Sequence, residues 1–144
     1  MNRSALIVGA GSGLSSSLAL QCANLGMDVA LAARNIEKLE DLSRQTAASL
    51  HKCDASKIED VKRLFKDLDE KLGIPELVVY NPSARLRGSI ETLDPEKTKE
   101  ALDVTCFGAF LVAQQAAKRM LKRGSGSIFF TGASAGVKGF ANSS

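Results

Sequence analysis

A glycine-rich turn is the pattern in this sequence best suited to holding a ligand. It follows the apolar run Ala5 to Val8 and leads into a stretch with helical spacing of apolar residues. Gly9 lets the chain turn sharply out of a strand, and Gly13 lets backbone approach a ligand closely. Because the N–H groups and dipole at a helix N-terminus favour negative charge, we expect a pyrophosphate there. The expected backbone contacts come from Gly9, Gly11, Ser12, Gly13 and Leu14. A tight turn without a ligand is the alternative.

The residue about twenty positions beyond the glycines indicates which dinucleotide would fit. An acidic residue there normally binds the ribose 2′-hydroxyl of NAD. Here Ala33 and then Arg34 occupy the place. A carboxylate would repel a 2′-phosphate, whereas a guanidinium can bind it through two hydrogen bonds. Arg34 therefore predicts NADP(H) in preference to NAD(H), and a solvated arginine on a loop is the alternative.

The elements that position these residues alternate along the whole chain. Apolar runs predict five strands, and stretches with helical spacing lie between them. The predicted strands are Ala5–Val8, Val29–Ala33, Ser49–Cys53, Leu77–Tyr80 and Ile128–Phe130. Repeated units of this kind predict an α/β fold, a Rossmann-type doubly wound parallel sheet with helices on both faces. We expect strand order 3-2-1-4-5, ligands across the carboxyl ends of the strands, and a single dinucleotide-binding domain over residues 1–144.

Capping signals give the helix boundaries. Asn35 is expected to cap the helix after the second strand. Ser56 and Glu59 have the spacing of a capping box for the next helix. Asp94, followed by proline, predicts the start of a helix that reaches about Arg123.

Composition excludes several other classes of protein. The 144 residues are 44% hydrophobic and 24% charged, with a net charge of +3 from scattered basic residues. A nucleic-acid surface would need a larger basic stripe with more aromatic residues, so no nucleic-acid partner is expected. No run approaches the roughly 18 apolar residues that span a bilayer, so no membrane partner is expected either. Three separated cysteines are typical of reduced thiols, and we expect a cytoplasmic location.

The glycine turn resembles that of the short-chain dehydrogenase/reductase family, T-G-x-x-x-G-I/L-G. Gly9 to Ser15 fits G-x-x-x-G-x-G, with Ser15 in the place of the last glycine. Asp54 is similar to the family's adenine-contacting aspartate, although a polar strand end would explain it as well. Asn81 matches the second asparagine of the family's N-N-A-G, and Pro82 after it removes a backbone donor.

The resemblance implies hydride transfer between NADP(H) and a small carbonyl or alcohol substrate, and a homo-oligomer formed partly through the helix Asp94–Arg123. It leaves the catalytic residues unknown. Thr105 stands where the family has asparagine, and Ala133 where it has serine, with Ser134 one residue away. The family's tyrosine and lysine would follow Ser144. Two interpretations stay open: the N-terminal portion of a longer oxidoreductase, or a non-catalytic NADP(H)-binding or regulatory relative.

Two other kinds of chemistry, a hydrolase and a metal site, have weaker support in the sequence. Gly132 to Gly136 matches the G-x-S-x-G elbow of α/β-hydrolases, but the one histidine, His51, lies upstream of the serine. His51 is expected to be an ordinary strand residue, and no metal site is predicted because no cysteines cluster with it. The acids Asp67, Asp69 and Glu70 are expected on the polar face of a helix.

Overall fold

The computed structural model describes residues 3–140 as a five-stranded sheet flanked by helices. The strands are β1 (Ser4–Val8), β2 (Asp28–Ala33), β3 (Ser49–Lys52), β4 (Leu77–Tyr80) and β5 (Ser127–Phe130). The helices are α1 (Leu14–Asn24), α2 (Glu40–Thr46), α3 (Ile58–Lys71), α4 (Pro95–Leu102) and α5 (Gly108–Arg123). Every strand pair is parallel and the order is β3-β2-β1-β4-β5, which confirms the predicted topology.

The sheet buries apolar side chains on both faces, as a doubly wound sheet must. On β1, Leu6 and Val8 face the cluster that includes Phe65 of α3 and Val112 of α5. Ile7, between them, faces the opposite cluster, which α1 and α2 cover. Alternate residues of one buried strand therefore serve two separate cores, and this explains why β1 has no polar face.

One of the three predicted helix caps is confirmed. Asp94 accepts a hydrogen bond from the N–H of Lys97 at 2.9 Å, as an N-cap should. Asn35 accepts one from the N–H of Glu37 at 3.1 Å, before a 3₁₀ turn, but α2 begins only at Glu40 and has no side-chain cap, so the predicted cap at Asn35 is wrong. The capping box at Ser56 is wrong. The Ser56 hydroxyl donates to Asp54 at 2.7 Å, and α3 begins after Lys57 without a side-chain cap.

The long helix predicted from Asp94 to Arg123 has the predicted extent but contains a π-helical segment, Asp103–Phe107, between α4 and α5. The carbonyl of Val104 in this segment accepts a hydrogen bond from the hydroxyl of buried Tyr80. At Gly108, which follows the segment, a Cβ atom would lie 2.8 Å from the carbonyl oxygen of Ala55. Glycine therefore lets the helix pass close to the end of β4 and the loop after β3.

Strand β5 forms one edge of the sheet within residues 3–140. Its Phe129 and Phe130 side chains are 58% and 53% exposed. Ala133 and Ser134 lie beyond the strand, and Ser134 begins a short 3₁₀ turn. The alternation of side chains between the two faces of a strand therefore does not decide which way these two side chains point. In this part of the chain, no helix has the length and apolar character needed to cross a bilayer.

Candidate cofactor-binding site

A cleft of about 400 Å³ opens at the carboxyl ends of β1, β2, β3 and β4. Four of the predicted site residues line it together: Gly9, Arg34, Asp54 and Asn81. The remaining four, Gly11, Ser12, Gly13 and Leu14, lie on the turn but are not among the lining residues. The cleft thus has the position that strand order 3-2-1-4-5 predicts for a ligand site.

The glycine turn is anchored to the neighbouring strand. The N–H groups of Gly9 and Ala10 both donate to the carbonyl of Ala32, at 2.9 and 3.1 Å. Gly9 has a φ of +76°, and a Cβ atom there would lie 2.5 Å from the nitrogen of Pro82. Gly9 is therefore required both for its backbone conformation and for the approach of the loop after β4.

Backbone N–H groups near the start of α1 are available as hydrogen-bond donors to a ligand. Within residues 3–140, the backbone N–H groups of Ser12, Gly13 and Ser15 donate to no protein acceptor. Gly13, the residue before the helix, has open space where a Cβ atom would lie. These donors and the helix dipole fit the negatively charged pyrophosphate of a dinucleotide.

Two partly buried side-chain hydrogen bonds link the glycine turn to the loop after β4. Ser15, which is 1% exposed, donates its hydroxyl to the carbonyl of Gly9 at 3.2 Å. The side-chain amide of Asn81 donates from Nδ2 to the Ser15 oxygen at 2.7 Å. The backbone N–H of Asn81 donates to the carbonyl of Val8 at 2.9 Å, continuing the pairing of β1 with β4. Ser15, in the place of a glycine, thus connects two walls of the cleft.

Asp54 is held in place by the segment that follows it. Its Oδ1 atom accepts from both the N–H and the hydroxyl of Ser56, at 3.0 and 2.7 Å. Its own N–H donates to Oδ2 of Asp60 at 2.9 Å, and this backbone bond, ahead of the pairing with Arg63, lowers the pKa of Asp60. The Asp54 carboxylate therefore faces the cleft edge from a fixed loop, with one oxygen already engaged.

Arg34 stands at the rim of the cleft directly after β2. It is exposed, and its guanidinium makes no ion pair or hydrogen bond with any residue of the described range 3–140. Two other arginines of the described range are engaged: Arg119 pairs with Asp69 at 2.7 Å, and Arg123 donates to the carbonyl of Ile74 at 2.6 Å. A guanidinium with no protein partner beside a cleft is available to an anionic group of a ligand.

The residues at the positions where the resemblance implies catalysis have side chains poorly suited to acid–base or nucleophilic chemistry. The Thr105 hydroxyl donates back to the carbonyl of Ala101 at 2.7 Å, on an exposed part of the π-helical segment. Ala133 has no polar side-chain atom. Ser134 lacks the positive φ of a strained nucleophile turn, since Ala47 alone has that conformation among the non-glycine residues described. These residues provide no proton donor and no activated nucleophile.

Three further titratable side chains on or beside the sheet, those of Cys53, His51 and Tyr80, are buried. Burial raises the pKa of the Cys53 thiol, which lines the cleft, to about 12. Burial lowers the pKa of His51, whose Nε2 lies 2.9 Å from the Ser49 hydroxyl on β3. Burial also raises the pKa of Tyr80. Among residues 3–140, no group of His, Cys, Asp and Glu side chains is arranged to hold a metal ion.

Several residues that line the cleft or support its walls had no clear signal in the sequence. Ser56 fixes Asp54, Pro82 packs on Gly9, and Val104 reaches the cleft from the π-helical segment. Ser15 was visible only as a departure from a glycine pattern. The predicted strand order was the available clue, because it puts β4 next to β1 and so places the residue after β4 near the turn that begins at Gly9.

The parallel sheet of order 3-2-1-4-5, with a glycine turn at a helix N-terminus and a cleft over the strand ends, defines a Rossmann-type α/β fold. The family model for short chain dehydrogenases matches residues 3–144, and the chain belongs to that family.

Individual relatives agree with this assignment. A farnesol dehydrogenase from Aedes aegypti is 33% identical over 126 residues, which cover 83% of this chain and 51% of the relative. A short-chain type dehydrogenase/reductase from Mycobacterium marinum matches with a TM-score of 0.91 and 28% identity, over 96% of this chain and 58% of that one. A variant of actinorhodin polyketide ketoreductase, solved with NADPH, matches with a TM-score of 0.93 and 25% identity, over 99% and 57%. The chain thus spans little more than half the length of these proteins.

Proposed function

We propose that this chain is the cofactor-binding portion of an NADP-dependent oxidoreductase that transfers hydride between NADP(H) and a small carbonyl or alcohol substrate. The observation that carries the proposal is one cleft lined by Gly9, Arg34, Asp54 and Asn81, with an unpaired guanidinium at its rim. The polyketide ketoreductase similar to this chain was solved with NADPH, which supports the choice of cofactor.

The chain's own residues would bind and orient the dinucleotide. The pyrophosphate would lie against the N–H groups at the start of α1, and Arg34 would bind the 2′-phosphate. Asp54 would contact the adenine, and Asn81 would lie toward the nicotinamide half, because β4 is on the other side of β1 from β2 and β3. When bound, the nicotinamide supplies the hydride chemistry.

The substitutions at Thr105 and Ala133 favour a second candidate, an NADP(H)-binding or regulatory relative without catalysis. The two candidates differ in whether a Tyr-x-x-x-Lys pattern follows Ser144 and in whether NADPH is consumed. We propose a homo-oligomer with either candidate function. Phe107 and Phe110, stacked at 6.2 Å and 39% and 55% exposed, are an apolar surface on the long helix that would suit it.

Fluorescence titration of the full-length protein with NADPH tests the binding step, and loss of NADPH absorbance with a panel of aldehydes and ketones tests the chemistry. Binding with substrate-dependent oxidation is the expected result. Binding without oxidation of any substrate would support the non-catalytic relative instead. Absence of NADPH and NADH binding to protein with native circular dichroism would overturn both.

A further inference from the structure

We propose that Ser15 is a positioning residue for the cofactor, and that it acts by fixing which atom of the Asn81 amide faces the cleft. This inference rests on the proposed function, since it concerns how the same cleft holds NADP(H). Ser15 does not line the cleft and has almost no exposed surface, so any effect of its hydroxyl on a ligand must pass through a neighbour.

The direction of the hydrogen bonds follows from simple chemistry. The carbonyl oxygen of Gly9 can only accept, so the Ser15 hydroxyl proton is directed to it. The Ser15 oxygen then has only lone pairs for Asn81, and the Asn81 amide must present Nδ2, its donor, at 2.7 Å. The other amide atom, Oδ1, is left as an acceptor without a protein donor in the described part of the chain, on a residue that lines the cleft.

The acceptor is suited to a particular part of the ligand. A hydroxyl group of a ribose can donate a hydrogen bond to Oδ1, whereas a phosphate oxygen cannot. Asn81 follows β4, while Arg34 and Asp54 follow β2 and β3, on the other side of β1. The inference therefore concerns the ribose of the nicotinamide half, and the adenine half should not depend on Ser15.

Glycine in the place of Ser15 would leave the Asn81 amide free to turn either way. Pro82 supplies no backbone N–H to the cleft, so the Oδ1 acceptor of Asn81 is a hydrogen-bonding group that this loop still offers to a ligand. Ser15 is therefore a determinant of affinity in this chain, although it stands where the family pattern has a residue without a side chain.

The test compares two nucleotides and uses a double-mutant cycle on the full-length protein. Ser15→Ala should weaken NADPH binding by about tenfold, the worth of one lost hydrogen bond, and leave adenosine 2′,5′-bisphosphate, which lacks the nicotinamide half, within about twofold. Adding Ser15→Ala to an Asn81→Ala protein should change the NADPH affinity by less than about twofold, because the residue through which Ser15 acts is gone. Ser17→Ala, an exposed serine of the same helix, is the matched control.

Each outcome is informative. If Ser15→Ala weakens the binding of both nucleotides equally, or if the effects of Ser15→Ala and Asn81→Ala on NADPH affinity are additive, the positioning role is overturned and the proposed function stands. A wild-type protein that binds neither nucleotide would overturn the proposed function and this inference with it. If Ser15→Ala does not fold, Ser15→Gly, the residue of the family pattern, provides the same comparison, and wild-type NADPH affinity in that variant would overturn the inference.

Discussion

The nitrogen of Pro82 lies so close to Gly9 that a Cβ atom on Gly9 would be 2.5 Å from it. Together with the φ of +76° at Gly9, this contact joins the glycine turn after β1 to the loop after β4. The two loops form adjacent walls of the cleft, so their packing sets its shape.

Gly9→Ala is expected to lower the free energy of unfolding by at least about 2 kcal/mol, because it adds both a left-handed backbone penalty and a steric clash. Gly11→Ala is the matched control in the same turn. A Cβ atom at Gly11 meets nothing within 4 Å, so its cost should stay below about 1 kcal/mol. Urea unfolding followed by circular dichroism measures both, and equal costs would show that the contact with Pro82 is not formed.

Tyr80→Phe removes the hydroxyl that donates to Val104, and it should destabilise the protein by about 1–2 kcal/mol because a partly buried carbonyl loses its donor. Thr105→Val deletes an exposed hydroxyl from the same π-helical segment and should cost less than about 0.5 kcal/mol. The difference in urea midpoint between the two variants is the measurement. If Tyr80→Phe leaves the urea midpoint unchanged, the hydroxyl does not hold the helix against β4.

Protonation of His51 should oppose folding. Burial lowers its pKa in the folded state, so the unfolded chain takes up the proton first as the pH falls. The free energy of unfolding should therefore decline as the pH falls below the usual histidine pKa of about 6.5. His51→Gln keeps a polar partner for Ser49 and should flatten this decline between about pH 7 and 5.5. Identical pH profiles for the two proteins would show that His51 is not the group responsible.

Much of the fold could be predicted from the sequence because its signals are local. Buried strands such as Ala5–Val8 are short apolar runs, and Asp94 caps its helix through a neighbour three residues away. Where two local partners competed, the prediction failed: Ser56 bonds to Asp54 instead of capping α3. The π-helical segment was not predicted, since it accompanies a contact with Tyr80 that is 24 residues away in the chain.

In the candidate site too, features with local signals could be predicted, and contacts between residues distant in the sequence could not. Gly9 and Arg34 could be named from the glycine turn and the spacing beyond it, and Asp54 and Asn81 from their resemblance to motifs of the family. All four follow predicted strands, and parallel strands bring those positions to one edge of the sheet. The bond between Ser15 and Asn81 could not be predicted, since it joins side chains 66 residues apart and depends on the exact register of β1 with β4.

Arg34 is the residue proposed to select NADP(H). The most direct test is fluorescence titration with NADPH and with NADH of the wild type, Arg34→Ala and the control Arg44→Ala, an exposed arginine of α2. We expect the wild type and the control to bind NADPH about tenfold or more tightly than NADH, and Arg34→Ala to lose that preference, a change of about 1.4 kcal/mol. Equal affinity of the wild type for the two nucleotides, or an unchanged preference in Arg34→Ala, would contradict the account.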